Sequence, residues 1–130
     1  MVLIDTHIWI WWMADLPQLS SKYRNALRKL SSPPMLSVIS LWEISLLVES
    51  SRVALFPTPK KWIAEATRPD AIELIQVTPA IAEELLALPP TLGRDPADRI
   101  IAATARALHV PVLTMDRQLL RSGAIRAWSV

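Results

Sequence analysis

Between Gly93 and Leu120 the chain reads G-R-D-P-A-D-R-I-I-A-A-T-A-R-A-L-H-V-P-V-L-T-M-D-R-Q-L-L. The pattern predicts a long, almost wholly apolar helix opened by Asp95 and Asp98. A short strand over Val112–Thr114 follows Pro111, and Asp116 lies just past it. A helix that feeds a short apolar strand is the repeating unit of a parallel α/β sheet, and such sheets bind ligands outside the carboxyl ends of their strands. This one stretch therefore narrows both the fold and the place where chemistry is expected.

The rest of the chain repeats the alternation. Val2–Ile4 is a continuous apolar run, the pattern of a strand buried on both faces. Thr6–Ala14 reads as a helix that is apolar nearly all round, with Trp9, Trp11 and Trp12 in four positions. Those tryptophans serve either core packing or a subunit or partner interface, where tryptophan is enriched. Ser20 and Ser21 are candidate caps for an amphipathic helix whose apolar side is Tyr23, Ala26, Leu27 and Leu30. Its basic side (Lys22, Arg24, Arg28, Lys29) is a solvated face or an RNA contact. Met35–Val38 is a second strand, and Ser40 is read as the cap of a helix over Leu41–Ser50. Arg52–Lys60 reads as a proline-punctuated loop, Lys61–Thr67 as a helix anchored by Trp62, and Ile72–Val77 as a third strand. Thr78-Pro79, a cap followed by a first-turn proline, opens a helix over Ala80–Leu88 with Glu83 and Glu84 outward. Ala124–Val130 offers a last strand. The whole predicts one α/β domain over residues 1–130 with a mostly parallel sheet and right-handed crossovers.

Composition narrows the chemistry. The chain has no cysteine and two histidines, which removes disulfides and thiolate metal sites and argues against a typical zinc site. With 52% hydrophobic residues it can bury a core. A net charge of +2 says little about nucleic acid, although ten of the 14 basic residues are arginine, which suits phosphate. The longest apolar stretch, Ile8–Ala14, is far short of the ~20 residues of a membrane helix. No basic leader precedes the first apolar run, and a cytoplasmic protein is expected.

Asp5 and Asp116 each follow a predicted strand, Glu43 follows another closely, and Asp98 opens the long helix. In a parallel sheet, four acids so far apart in sequence meet along one edge. Two carboxylates ~4 Å apart repel by about 4 kcal/mol at an effective dielectric near 20. Either some of them hold protons or a cation sits among them. An oxygen-only donor set points to Mg²⁺ or Mn²⁺, and hence to metal-assisted phosphodiester hydrolysis. Glu43, Asp98 and the neighbouring Asp95 also have plainer roles. Asp95 reads as the cap before Pro96, Asp98 as a capping-box partner or a ligand, and Glu43 as a first-turn charge or a functional group.

Four segments carry a family likeness: L-I-D-T-H-I-W-I-W-W at 3–12, S-V-I-S-L-W-E-I at 37–44, D-P-A-D-R-I-I-A-A-T-A at 95–105 and V-L-T-M-D at 112–116. In this order they resemble the motifs of PIN-domain nucleases, in particular the VapC-type toxins of toxin–antitoxin pairs. The resemblance implies a three-layer α/β/α fold and a Mg²⁺- or Mn²⁺-dependent endoribonuclease. It implies Asp5, Glu43, Asp98 and Asp116 as the acidic site, with Thr6 and Thr114 as supporting hydroxyls. Arg99 matches a frequent arginine, for which pairing with Asp95 or Glu43 is the simple expectation. Ala97 stands where many relatives carry an aromatic. The implied partners are RNA, a small antitoxin and a second copy of the chain, with the tryptophan-rich first helix available to either protein.

Three rivals are weighed against this. A haloacid-dehalogenase-like phosphatase needs an aspartate two residues after the first, and position 7 is histidine. A flap-endonuclease-like enzyme needs duplex-binding elements for which 130 residues leave little room. A non-catalytic binding module has no use for all four acids.

Overall fold

The computed structural model describes residues 1–130. Four parallel strands form the sheet: β1 (Leu3–Ile4), β2 (Met35–Ser37), β3 (Glu73–Ile75) and β4 (Val112–Leu113), in the order β3-β2-β1-β4. The helices are α1 (Thr6–Met13), α2 (Ser21–Arg28), α3 (Ile39–Glu49), α4 (Pro59–Ala66), α5 (Pro79–Leu86), α6 (Pro96–Leu108) and α7 (Arg117–Arg121). A 3-10 turn covers Pro90–Leu92. No helix is long and apolar enough to cross a membrane.

The short strands are mostly apolar because the sheet is covered on both sides; Ser37 of β2 is buried with them, and Glu73 opens the edge strand β3 exposed. Val2, Ile4, Leu36 and Leu113 pack on one face with Ile8, Trp9, Ile44 and Trp62. Leu3, Met35 and Val112 pack on the other with Ile101 and Ala105 of α6. Alternate residues of each strand thus enter separate cores, which gives the expected three layers.

Strand order sets the site. The chain moves outward from β1 through β2 to β3, then returns across the sheet to β4 on the other flank of β1. The order therefore reverses between β1 and β4, the kind of switch point where open α/β sheets leave a crevice.

Several local expectations are corrected. Ser40 is not a cap: α3 begins at Ile39, Val38 already has helical φ and ψ, and Ser40 is fully buried inside the helix. The hydroxyl that accepts from the first turn belongs to Ser37, from the Ile39 N–H at 3.2 Å. Within the expected loop at 52–60, Thr58 caps α4 and Pro59 opens it, the same device as Thr78-Pro79 at α5. The expected strand at 124–130 is a single parallel bridge, Val112 to Ala127. Its partner β4 is only two residues long, so the ladder ends after Val112 N–H bonds Arg126 O and Trp128 N–H bonds Val112 O, each at 2.9 Å. Glu84 is not simply outward; it pairs with Arg106 Nε at 3.0 Å. The α2 face is only partly free, since Arg24 bonds Asp15 and the carbonyls of Leu16 and Leu19.

Candidate active site

Asp5 leaves β1 and caps α1, so its position is fixed by the two elements it joins. Oδ1 accepts from the Thr6 N–H and Oδ2 from the Thr114 hydroxyl, both at 2.7 Å. Thr114 directly follows β4, and its Oγ1 accepts in turn from the Asp116 N–H at 3.0 Å. Asp116 caps α7 by accepting from the Leu119 N–H at 3.1 Å. One chain of hydrogen bonds, Asp116 to Thr114 to Asp5, therefore stitches the ends of β1 and β4 together. The two threonines expected as supporting hydroxyls differ here: the Thr114 hydroxyl bonds Asp5, whereas the Thr6 hydroxyl bonds Ser40 at 2.7 Å.

Asp95 caps α6, accepting from the N–H groups of Ala97 and Asp98 at 2.9 and 3.2 Å. Its role as a cap is thus as expected, and Asp98 follows at the third helical position. Asp98 is half-buried, and its pKa is pushed up from 3.8 to about 7. Burial is the largest cause, followed by the negative charges of Asp95, Asp116, Asp5 and Glu43. Glu43 is raised as well, first by burial and then by Asp5, Asp95 and Asp116. The Thr6 hydroxyl, already bonded to Ser40 at 2.7 Å, only partly offsets that rise. Glu43 Oε1 is enclosed and has no hydrogen-bond partner.

Asp5, Glu43, Asp98 and Asp116 thus share one electrostatic field at the β1/β4 edge, and Asp95 belongs to it too. No lysine or arginine forms an ion pair with Asp98 or Glu43. The ion pairs of the chain lie elsewhere, apart from His7 Nδ1 at 3.6 Å from Asp5 Oδ2. Arg99 does not pair with Asp95 or Glu43. Its guanidinium donates to the carbonyls of Gly93 and Leu85, both at 3.2 Å, and ties the end of α5 and the turn before Asp95 to α6. As placed, no three acidic or histidine side chains form a ready-made metal cage.

Two neighbours escaped the sequence reading. Ser40 looked like a cap because serine before an apolar run usually is one. His7 attracted notice only as the wrong residue for a phosphatase, yet its Nε2 accepts from the Met115 N–H at 3.0 Å. Neither contact has a local signature, because each joins residues far apart in sequence.

The PIN domain family matches residues 2–124. Ribonuclease VapC22 of Mycobacterium tuberculosis (strain ATCC 25618 / H37Rv) is 31% identical over 118 residues, 91% of this chain and 88% of that protein. Among solved structures, VapBC2 from Rickettsia felis bound to a DNA fragment from their promoter superposes with a TM-score of 0.73 at 18% identity, covering 98% of each chain. A toxin–antitoxin complex from Klebsiella pneumoniae gives 0.64 at 20% identity over 100% of both chains. FitAcB from Neisseria gonorrhoeae gives 0.63 at 21% identity over 99% of this chain and 97% of that one. At these identities the structural likeness establishes the fold.

Proposed function

This chain belongs to the PIN-domain family, and on that premise we propose that it is a metal-dependent endoribonuclease acting as the toxin of a toxin–antitoxin pair. The observation that carries the reading is the gathering of Asp5, Glu43, Asp98 and Asp116 at the β1/β4 edge with no lysine or arginine ion-paired to them. An enclosed Glu43 Oε1 without a partner and a carboxyl pushed up to about 7 are what a cation site looks like before its cation. The donors are all oxygen, which fits Mg²⁺ or Mn²⁺.

Asp5, Asp98 and Asp116 would hold the ion, with Glu43 holding a second ion or a water. Such a cation would supply acidification of a water and compensation of charge on the phosphodiester. The chain's own residues do the positioning. Asp5 cannot rotate without breaking its bonds to Thr6 and Thr114. Burial and mutual repulsion raise the pKa values of Asp98 and Glu43, and a cation among them would favour their ionised forms.

Asp5→Asn tests this directly. The amide keeps one acceptor and the Thr114 hydroxyl can reverse to accept from it, so folding should cost only about 1 kcal/mol. Cleavage of a single-stranded RNA is expected to disappear in the variant, and in the parent protein with excess chelator, returning there when Mn²⁺ is added. Full activity of the variant, or in chelator, overturns the reading.

The antitoxin's place on this reading is an apolar groove of about 540 Å³ beside the acidic edge. His7, Trp11, Met13, Leu55 and Phe56 line it, and Phe56 is 77% exposed. The related complexes named above supply the partner class. Dimerisation remains part of the proposal. Light scattering at micromolar concentration is expected to give twice the 14.6 kDa of one chain; a strict monomer removes the homodimer.

A further inference from the structure

The geometry points to His7 as the positioning residue that holds the two halves of the acidic edge in register, an inference that rests on the proposed metal-dependent activity. Beside Glu43 of α3 and Asp98 of α6, the site takes its other two acids from two separate chain turns. One is the β1–α1 turn bearing Asp5, and the other is the β4–α7 turn bearing Asp116. Two side chains bridge them. Thr114 does so from the β4 side through its bond to Asp5. His7 does so from the α1 side, with Nε2 accepting from the Met115 N–H at 3.0 Å.

That single bond settles the ring's orientation. With Nε2 accepting, the proton of the neutral ring is on Nδ1, and Nδ1 faces Asp5 Oδ2 at 3.6 Å. This is too long for a hydrogen bond but favourable in sign. The ring also leans on Trp11 one turn on, with centroids 4.9 Å apart and planes tilted by 55°, which limits its swing. Met115 itself is 38% exposed, and its side chain has little to hold it. The Met115 N–H is therefore fixed by the imidazole, and the backbone it fixes carries Asp116. Groups of this kind, one step behind the ligands, typically affect metal affinity or activity by about 10–100-fold.

Two substitutions separate positioning from bulk. His7→Leu fills similar space against Trp11 and offers no acceptor. His7→Gln can place its amide oxygen where Nε2 stood. In His7→Leu, hydrogen exchange of the Met115 amide should accelerate about tenfold or more. Mn²⁺ affinity measured by calorimetry should fall by about tenfold. On RNA, kcat should fall by a similar factor with KM unchanged, and His7→Gln should restore most of all three. Should His7→Leu fail to fold, His7→Asn, whose amide is too short to reach Met115, takes its place beside His7→Gln. Unchanged Met115 exchange and Mn²⁺ affinity in the acceptor-free variant overturn the inference, as does a His7→Gln variant equally impaired. If the parent protein binds no Mn²⁺ and cuts no RNA, the functional reading fails. The Met115 exchange rates still decide whether His7 holds the turn.

Discussion

Asp98→Asn is expected to stabilise the metal-free protein while removing its activity. The activity loss is on the order of 10²–10³-fold, the scale of deleting one preorganised electrostatic group. The stability gain follows from proton linkage. In the folded chain Asp98 titrates at about 7, above its ordinary 3.8. Between those values the folded state binds more protons at this site than the unfolded state does, so stability falls as pH rises through the window. It is lowest above pH 7, where the carboxylate must ionise beside Asp95, Asp116, Asp5 and Glu43. Asparagine cannot ionise and removes that dependence. Asp98 is half-buried, and after allowance for solvent screening a gain of about 1 kcal/mol is reasonable, a rise of roughly 3–5 °C in the thermal midpoint. Thermal scans in chelator from pH 4 to 8 should show the parent midpoint declining and the variant's flatter, with the gap widest at pH 8. Saturating Mn²⁺ should reverse the ranking, because a ligand at 100 times its Kd adds about 2.7 kcal/mol to the protein that binds it. A variant less stable than the parent in chelator at pH 8 would mean that Asp98 is not a repelled carboxylate.

Trp9→Ala is expected to be the most damaging of the tryptophan substitutions. Trp9 is 0% exposed, packs edge-on against Trp62 at 5.1 Å, and donates from Nε1 to the Ala66 carbonyl at 2.9 Å. Truncation leaves a cavity between α1 and α4 and strips that carbonyl of its partner. Burial and cavity terms for a buried tryptophan amount to about 3–5 kcal/mol, and the orphaned carbonyl adds about 1–3 kcal/mol. Against a total of about 5–15 kcal/mol for a typical domain, much of the population should unfold near physiological temperature. Urea denaturation should report the loss as a lower midpoint. Trp9→Phe should recover part of it by refilling the space without the hydrogen bond. The same truncation at Trp11, half-buried on the groove wall, should cost about 1 kcal/mol. Equal effects at both positions would contradict the burial pattern.

The three tryptophans show where local reading stops. Thr6–Ala14 is apolar almost all round, so helical spacing cannot tell a core side from an exposed one. Only the sheet beneath α1 selects Trp9 for the core and leaves Trp11 to the groove. Arg99 is similar. Sequence places it one step from Asp98 and four from Asp95, which suggests an ion pair. The fold instead brings the α5 carbonyl of Leu85 and the turn carbonyl of Gly93 to its guanidinium. The helix α7 is five residues long and capped by Asp116, too short for periodicity to register in the sequence.

The amino-acid sequence by itself determined the alternation of buried strands and capped helices, the two-sided burial of the sheet, and which acids stand at strand and helix ends. These are local properties, written in the spacing of apolar residues and in caps such as Asp95-Pro96 and Thr78-Pro79. The strand order β3-β2-β1-β4 was decided only in the tertiary structure. With it came the switch point between β1 and β4, the hydroxyl bridge from Thr114 to Asp5, the imidazole bridge from His7 to Met115, and the inclusion of Asp95 in the acidic field. The reason is physical. A carboxylate's pKa and a side chain's partner depend on what lies within a few ångströms, and at this edge those neighbours come from residues as much as 109 positions away along the chain.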